Sequence, residues 1–257
     1  MRTHLTVVFL AAAIAGTSHG DHLNGTARHD VIRGKGGNDA IRGKRGSDRL
    51  FGNAGDDNIN GGLGSDTVWG NAGSDTLNGG GGGRDRVFAG PGNDVVFGGG
   101  ERDFLFGGTG NDAINAGAGD DTVIGGVGDD VLHGRQGNDH LFANTGADQL
   151  FGDDGNDDLW AEASADVDKT VQLDAHGDTL YGGTGGDTFH TRDGEVDRVT
   201  CGDGNDTAQL DTVDVIVDAT PSNPNGSCER VVRQAPAPNE DQQENQVQSQ
   251  PGDSREH

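Results

Sequence analysis

The sequence predicts an all-β solenoid, in which short strands stack on one another and no conventional globular core is formed. Hydrophobic residues make up only 30% of the 257-residue chain while glycine occurs 48 times, too little apolar surface for an ordinary core. Aspartates recur every nine residues over most of the chain, and large apolar side chains recur every eighteen. A period of nine within a period of eighteen is expected when two short repeats complete one coil.

The charge of the chain indicates what kind of partner it has. With 43 acidic and 18 basic residues, the formal net charge is -25, which repels nucleic acid and leaves few groups to bind phosphate. Of the acidic residues, 36 are Asp and 7 are Glu. Short Asp side chains in glycine-rich turns suit the coordination of a hard cation by oxygen, so calcium is the expected partner.

The nine-residue repeat is clearest in the fourteen copies between Asp39 and Asp157. Thirteen copies have glycine two residues before the Asp, with Glu101 as the exception, and all fourteen have Ile, Leu or Val two residues after it. Each copy predicts a six-residue glycine-rich turn and a three-residue strand with one buried aliphatic side chain. Burial in one such unit contributes about 2 kcal/mol, whereas ordering the chain costs at least about 1 kcal/mol for each of its nine residues. Stacking of units and a ligand must therefore supply the remaining stabilisation.

The second position of each predicted turn indicates a special backbone conformation. Seven of the fourteen copies have glycine there, four have Asn or Asp, which tolerate positive φ, and three have Lys or Arg, which fit less well. The non-glycine residues at this position are Asn53, Asn71, Asn144, Asp153, Lys35, Lys44 and Arg135.

These copies resemble the RTX, or hemolysin-type, calcium-binding nonapeptide GGxGxDxUx. The resemblance implies a parallel β-roll with two repeats per coil, and multiple calcium ions held between successive turns by the Asp side chains and turn carbonyls. Carried over by position, the implied calcium ligands are Asp39, Asp48, Asp57, Asp66, Asp75, Asp85, Asp94, Asp103, Asp112, Asp121, Asp130, Asp139, Asp148 and Asp157. The copies at Asp21 and Asp30 lack the glycine two residues earlier and are not included. An extra glycine before Asp85, with Arg84 and Arg102 beside Asp85 and Asp103, predicts that those two sites are distorted or weaker.

A second pattern follows the buried aliphatic residues. On alternate repeats the next residue is large and apolar, which predicts an aromatic stripe on the outer face of one sheet. Stacked aromatic side chains stabilise a sheet, and the same stripe could bind a partner chain, an extracellular polysaccharide, a cell surface or a second copy. The stripe comprises Phe51, Trp69, Phe88, Phe106, Phe142 and Trp160, with Ile124 in the same series.

The two ends of the chain depart from the regular repeat. An apolar run from Leu5 to Ala15 behind Arg2 predicts a signal peptide over residues 1–20, and hence a secreted, extracellular protein with no membrane span after its removal. The regular roll is expected over 21–160, an inserted loop over 161–177, degenerate repeats over 178–210, a cap over 211–233 and a disordered tail over 234–257. Among the degenerate repeats, Asp187 and Asp206 are further calcium candidates.

The only two cysteines, Cys201 and Cys228, are expected to form a disulfide that ties the cap to the last coils. This ending resembles that of small Sec-exported calcium-repeat proteins.

No catalytic motif is found, so the chain is predicted not to be an enzyme. No His is followed by Glu, which excludes HExxH, and the only G-x-S-x-G lies at the signal boundary, Gly16 to Gly20. The sequence therefore favours a secreted protein that folds on binding calcium, with a structural or adhesive role at the cell exterior. The alternative is a secreted enzyme or enzyme accessory whose repeats bind an extracellular polysaccharide. Its candidate groups lie in the inserted loop: Glu162, Asp166, Asp168, Asp174 and His176.

Overall fold

The chain winds into a parallel β-solenoid, in which each coil contributes one strand to each of two sheets. A computed structural model describes residues 13–161, 177–192, 194–219, 223 and 226–234. One sheet has 12 strands and the other 11, and neighbours within a sheet are alternate strands of the chain. This architecture confirms the predicted β-roll with two repeats per coil. The described residues contain no helix, and so no helical segment long and apolar enough to cross a membrane.

Strands of odd number form the larger sheet, sheet A, and those of even number form sheet B. Sheet A consists of β1 (Ala13–Ala15), β3 (Val31–Gly36), β5 (Arg49–Ala54), β7 (Thr67–Ala72), β9 (Arg86–Pro91), β11 (Phe104–Thr109), β13 (Thr122–Val127), β15 (His140–Thr145), β17 (Asp158–Trp160), β19 (Thr188–Thr191), β21 (Thr207–Leu210) and β23 (Arg230–Arg233). Sheet B consists of β2 (His22–Asn24), β4 (Ala40–Arg45), β6 (Asn58–Leu63), β8 (Thr76–Gly81), β10 (Val95–Gly100), β12 (Ala113–Ala118), β14 (Val131–Gln136), β16 (Gln149–Asp154), β18 (Thr179–Gly185), β20 (Arg198–Gly204) and β22 (Val215–Ile216).

The regular strands have six residues, so the predicted three-residue strand is too short. Pairing of β5 with β7 runs through Phe51↔Trp69, skips one position at Gly52, and resumes at Asn53↔Asn71. Every coil turns its corner at the same glycine position, and the stacked backbones therefore stay in register beyond the corner. The turn between strands is correspondingly only three residues long, and it ends at the motif Asp.

The core between the sheets is a double row of the central aliphatic side chains. Ile32, Leu50 and Val68 stack within sheet A at 0% exposure, and Ile41, Ile59 and their successors do so within sheet B. Residues on either side of each aliphatic point outward, as alternation along a strand requires. The core is one side chain thick on each sheet, so it cannot stabilise the fold without the contacts between coils.

Two positions in each repeat have positive φ, which explains about half of the glycine content. The seven non-glycine residues at the second turn position all have φ between 70° and 86°, including Lys35, Lys44 and Arg135, which the sequence analysis judged to fit less well. Glu101, which replaces the glycine two residues before Asp103, also has positive φ, at 73°.

Replacing Gly137 by Ala is expected to destabilise the calcium-loaded protein strongly. Gly137 has φ +130°, and a Cβ there would lie well inside van der Waals contact with the carbonyl of Gly119 in the preceding coil. We expect a loss of roughly 1–3 kcal/mol or more, measured by thermal unfolding in calcium. Gly100→Ala is the matched control, because a Cβ at Gly100 meets no atom within 4 Å. Equal melting temperatures for the two variants would contradict this account of the turn.

The pairing continues across the predicted loop at 161–177. β16 pairs with β18 through Leu150↔Leu180, and β17 pairs with β19 through Leu159↔Phe189. Residues 162–176, with the loop's candidate groups, lie outside the described residues. The extra residue before Asp85 is absorbed in the turn, where Gly82 has positive φ, and Trp69↔Phe88 stay paired.

The C-terminal end carries the predicted cap. Cys201 and Cys228 form a disulfide with Cα atoms 5.2 Å apart, and the Ser227 hydroxyl accepts hydrogen bonds from the amides of Cys201 and Gly202. β22 and β23 each extend one sheet by a further strand. The predicted tail lies outside the described residues except for Gln234.

Removing the disulfide is expected to loosen this end. The bond closes a loop with a sequence separation of 27, so the double variant Cys201→Ser/Cys228→Ser should lose about 3–4 kcal/mol in the chain-entropy model. Urea unfolding in saturating calcium would measure the loss, and wild type in reductant provides the matched comparison. An unchanged urea midpoint in both would show that the cap holds without the bond.

The N-terminal end differs from expectation. Ala13–Ala15 form β1 and pair with β3 through Ile14↔Ile32, although the sequence analysis places them in the signal peptide. The reason is the repeat itself, because Ile14 lies one coil before Ile32 in the core series. The signal peptide and its cleavage point stay predictions.

Candidate metal centre

The motif aspartates form two buried ladders, one along each row of turns. Each Asp ends a turn, and its main-chain N–H donates to Oδ1 of the Asp one coil further on, for example from Asp39 to Asp57 at 2.7 Å and from Asp121 to Asp139 at 2.8 Å. One ladder contains Asp21, Asp39, Asp57, Asp75, Asp94, Asp112, Asp130, Asp148, Asp178, Asp197 and Asp214. The other contains Asp30, Asp48, Asp66, Asp85, Asp103, Asp121, Asp139, Asp157, Asp187, Asp206 and finally Glu229.

The structure thus brings all sixteen predicted ligands to equivalent positions, at most 3% exposed. Their Oδ1 atoms hold adjacent coils together, and Oδ2 is the atom left for a ligand. In fifteen of them Oδ2 is buried and has no hydrogen-bond donor: Asp39, Asp48, Asp57, Asp66, Asp75, Asp85, Asp94, Asp103, Asp112, Asp121, Asp130, Asp139, Asp157, Asp187 and Asp206. Asp148 occupies the same position with the same Oδ1 bond. A buried carboxylate oxygen without a donor destabilises the fold, so a proton or a cation bound to each of these atoms would stabilise it.

A main-chain carbonyl oxygen converges on the same place as Oδ2. A Cβ added to Gly98 would lie 2.7 Å from Asp103 Oδ2 and 2.5 Å from the carbonyl oxygen of Ala116 in the next coil. At Gly152 the same point lies 2.5 Å from Asp157 Oδ2 and 2.6 Å from the carbonyl of Gly182. Two electron-rich oxygens beside the same glycine favour a positive group near them. In three copies Ala89, Ala116 or Ala143 places a buried methyl group at this point instead.

Burial raises the pKa of many ladder carboxyl groups. The main cause is desolvation, which raises the pKa, while the hydrogen bond from the preceding Asp amide lowers it and neighbouring aspartates in several cases raise it further. The pKa rises to about 6 for Asp57, Asp75, Asp85, Asp94, Asp112, Asp121 and Asp187, to about 7 for Asp66, Asp139 and Asp157, and to about 8 for Asp103 and Asp130. The pKa values of Asp48 and Asp206 are raised for the same first cause. At neutral pH the ladders are therefore strained unless a cation neutralises them.

The first two copies are built differently. Asp21 Oδ2 accepts hydrogen bonds from the amide and the hydroxyl of Thr17, at 2.6 and 2.9 Å. Asp30 Oδ2 accepts the equivalent pair from Thr26. In these two copies threonine groups donate to Oδ2, the same oxygen that has no donor in the later copies. This arrangement agrees with the omission of Asp21 and Asp30 from the implied ligands.

The last copies are also closed by protein groups, which the sequence analysis missed. Glu229 takes the place of the Asp in the final repeat, and its carboxylate accepts the amide of Asp206 at 2.7 Å. Asp214 Oδ2 accepts the Thr191 hydroxyl and the amide of Asp211, both at 2.7 Å. The signal for Glu229 was present in the Glu-Arg-Val pattern, but the long spacing from Asp206 concealed it.

A further row of hydrogen bonds, outside the two aspartate ladders, was not predicted from the sequence. The residue before each motif Asp is usually Asn, Asp or Ser, and its side-chain oxygen caps the amide of the equivalent residue one coil on. Examples are Asn38 with the Asp56 amide at 3.1 Å and Asp120 with the Asn138 amide at 3.0 Å. These bonds hold the turns of adjacent coils in register.

The residues present fit calcium. The described parts of the chain contain no group of three or more His, Cys, Asp or Glu side chains that could hold a metal, because each coil offers one carboxylate per ladder. A cation there would draw its remaining ligands from main-chain carbonyls and water. Calcium accepts such mixed oxygen ligands, six to eight in number and in flexible geometry.

The aromatic stripe lies on the outer face of sheet A, as predicted, and its residues are paired from strand to strand along the whole series, with Phe88 opposite Phe106. In the first half the rings stack on one another, with Phe51 and Trp69 centroids 4.4 Å apart at 2° and Trp69 and Phe88 5.9 Å apart. The ring of Phe88 then contacts that of Phe104. In the second half Ile124, Phe142 and Trp160 form a buried cluster, 1–8% exposed, against which Phe104 and Phe106 pack. Phe104 therefore connects the stacked rings of the first half to the buried cluster of the second half.

Comparison with known protein families supports the interpretation of the repeats. A family model described as RTX calcium-binding nonapeptide repeat (4 copies) matches residues 15–50, 51–83, 79–114, 97–132, 106–141 and 133–168. These matches together extend from residue 15 to residue 168, which is more than half of the chain. A search of curated proteins finds no match.

Proposed function

Since the chain belongs to the RTX calcium-binding nonapeptide repeat family, we propose that it is a secreted protein whose roll folds when calcium occupies the two aspartate ladders. The proposed ligands are the sixteen aspartates that the sequence analysis named. The role that follows is structural, with calcium as the trigger that builds a stable rod at the cell exterior.

The single observation that carries this proposal is the repeated pairing of a donorless Asp Oδ2 with a main-chain carbonyl oxygen. Aspartates of one ladder repeat every coil, about 4.8 Å apart, so their charges repel strongly at neutral pH. A divalent ion between coils would neutralise two of them and satisfy the carbonyls as well. Because the unfolded chain has no such sites, the binding free energy becomes folding free energy.

Two features support export. The apolar N-terminal run predicts a signal peptide, and a disulfide persists in oxidising compartments. Extracellular calcium modules commonly bind with dissociation constants of about 0.1–1 mM, which suits a roll that stays unfolded before export and folds outside.

A calcium titration followed by far-ultraviolet circular dichroism tests the proposal. We expect a cooperative change from disorder to β structure near millimolar calcium at pH 7.5, with a much weaker response to magnesium. Magnesium is the control because it requires shorter, near-octahedral ligand distances and releases its water reluctantly. A chain with the same β spectrum in chelator and in calcium would show that the ladders do not need the metal.

The adhesive role of the stripe receives less support than its structural role. In the first half of the stripe the ring faces are occupied by one another, and Arg33 and Arg49 lie over Phe51 at 4.9 and 5.7 Å. Little ring face is left there to stack on a sugar, and the second half is buried. The stripe therefore serves mainly to stabilise sheet A, at roughly 0.2–1 kcal/mol per neighbouring pair.

The enzyme or enzyme-accessory alternative rests on the inserted loop. Its candidate groups Glu162, Asp166, Asp168, Asp174 and His176 lie outside the described residues. Alanine replacement of Glu162 and His176, with an assay on acidic polysaccharides, tests that alternative.

A further inference from the structure

The first coils are cationic although the chain as a whole is strongly acidic. Residues 22–55 contain seven Lys and Arg against three Asp, whereas residues 56–161 contain four against nineteen acidic residues. The three Asp of the first segment belong to the ladders and are at most 3% exposed, so their charges are directed inward. We call the seven basic residues the cationic collar: Arg28, Arg33, Lys35, Arg42, Lys44, Arg45 and Arg49.

The collar surrounds one end of the solenoid. Arg49 is exposed on the outer face of sheet A and Arg42 on that of sheet B, while Lys35, Lys44 and Arg45 are exposed just beyond the glycine corners of β3 and β4. The two faces point in opposite directions, and all these residues lie on β3, β4 and β5, in the second and third coils. An extended polyanion lying along either face would meet only that face's cations and would then run along the acidic remainder of the rod. A flat surface that meets the rod end-on can attract the cations of both faces.

The distances along the axis favour the same arrangement. Two acidic residues flank the collar, the half-buried Asp21 in the first coil and the exposed Asp56 in the turn after β5. The other exposed acidic residues, such as Glu101, Asp120 and Asp129, follow strands at least three coils beyond β4, about 14 Å or more at 4.8 Å per coil. Charges farther apart than the Debye length, about 8–10 Å at physiological salt, are largely screened. A rod that stands on its collar therefore keeps most of its acidic surface away from an anionic plane.

We propose that the collar docks this end of the solenoid, end-on, to a membrane surface that bears anionic lipid headgroups. The inference rests on the proposed function, because only the folded roll gathers seven cations, spread over 22 residues of sequence, around one end. Calcium in the first ladder sites would also neutralise Asp39 and Asp48 and make the collar more positive.

Vesicle co-sedimentation in millimolar calcium tests the proposal. The vesicles contain about one third phosphatidylglycerol in phosphatidylcholine, with pure phosphatidylcholine as the neutral surface. The collar variant is Lys35→Glu/Arg42→Glu/Arg45→Glu, and the charge-matched control is Arg84→Glu/Arg86→Glu/Arg102→Glu in the acidic part of the rod. We expect the collar variant to bind anionic vesicles at least about tenfold more weakly than wild type, while the control stays within about twofold. Raising the salt from about 0.1 to 0.5 M should abolish wild-type binding.

Other outcomes would overturn the proposal. If calcium bridges the acidic surface to the lipid, both variants will bind like wild type. If the partner is a soluble acidic polysaccharide, alginate will bind wild type in preference to the collar variant while vesicles do not. If the partner is a second copy, sedimentation velocity without lipid will show an oligomer that salt and the collar variant dissolve, with no vesicle binding.

Circular dichroism of the same samples separates this proposal from the previous one. Should the chain be folded equally in chelator and in calcium, the proposed function fails, and vesicle binding measured in chelator still decides the role of the collar. Should the collar variant not fold, the milder Lys35→Gln/Arg42→Gln/Arg45→Gln replaces it, with weaker vesicle binding expected and unchanged binding counting against the collar.

Discussion

In a calcium chelator, the chain is expected to be unfolded at pH 8 and to gain β structure as the pH falls towards about 4.5. Many ladder carboxyl groups have raised pKa values in the fold, to about 6 for Asp57, about 7 for Asp66 and about 8 for Asp130. Desolvation is the first cause in each. Since the folded state holds these protons more tightly than the unfolded chain, with a usual pKa near 3.9, protonation favours folding.

The sign of the effect follows from this difference. The stabilisation is fully present below about pH 4 and is lost as the pH rises through the folded values of about 6 to 8. A protonated Oδ2 can donate to the converging carbonyl, so acid substitutes in part for calcium. The reduced net charge at low pH acts in the same direction.

Circular dichroism at 218 nm across this pH range, in chelator, measures the effect. With calcium present the dependence should reverse, because protons compete with the metal and the calcium midpoint should rise below about pH 6. A spectrum in chelator that does not change between pH 8 and pH 4.5 would contradict the assignment of buried, donorless carboxylates.

The second large effect is expected from replacing a ladder aspartate whose Oδ2 has no donor, compared with replacing one in the first two copies, where threonine supplies the donors. Asp130→Asn should raise the calcium midpoint for folding by about three- to tenfold and lower the number of bound ions, because it removes a charged ligand from between coils. In chelator the same variant should be somewhat more stable than wild type, since the amide can donate where a carboxylate cannot.

Asp30→Asn is the matched control. Asp30 Oδ2 already accepts hydrogen bonds from the Thr26 amide and hydroxyl, so an amide nitrogen there would face two donors. We expect a loss of about 1 kcal/mol in stability with the calcium stoichiometry unchanged. Calorimetric titration and urea unfolding measure the two quantities. If Asp30→Asn lowers the stoichiometry as Asp130→Asn does, the first coils bind calcium and their threonine donors do not replace it.

The comparison between ends shows which parts of the site sequence reasoning can predict. The nine-residue period, the inward aliphatic side chain and the position of each Asp follow from the spacing alone, because every copy repeats the same local conformation. Positive φ at Asn53 and Asp153 was also predictable, since it depends on one residue and its neighbours.

Other features depend on what lies one coil away. Strands extend to six residues because stacked corners keep the backbones paired, and a single nine-residue unit contains no information about that pairing. Phe104 joins the stripe because its ring contacts Phe88 on the neighbouring strand and packs against the buried cluster around Phe142. Glu229 takes the ladder position after Asp206, 23 residues earlier in the chain, because the fold places its carboxylate where it accepts the Asp206 amide.

The repeat pattern alone predicts a calcium-repeat β-roll and identifies the aspartates that line its turns. Which oxygen of each carboxylate is left for a cation depends on how the coils stack, because Oδ1 accepts the amide of the Asp in the preceding coil. Such a hydrogen bond between coils joins residues seventeen or more positions apart. Its partners are set by how the coils stack, and not by the repeat that forms each coil.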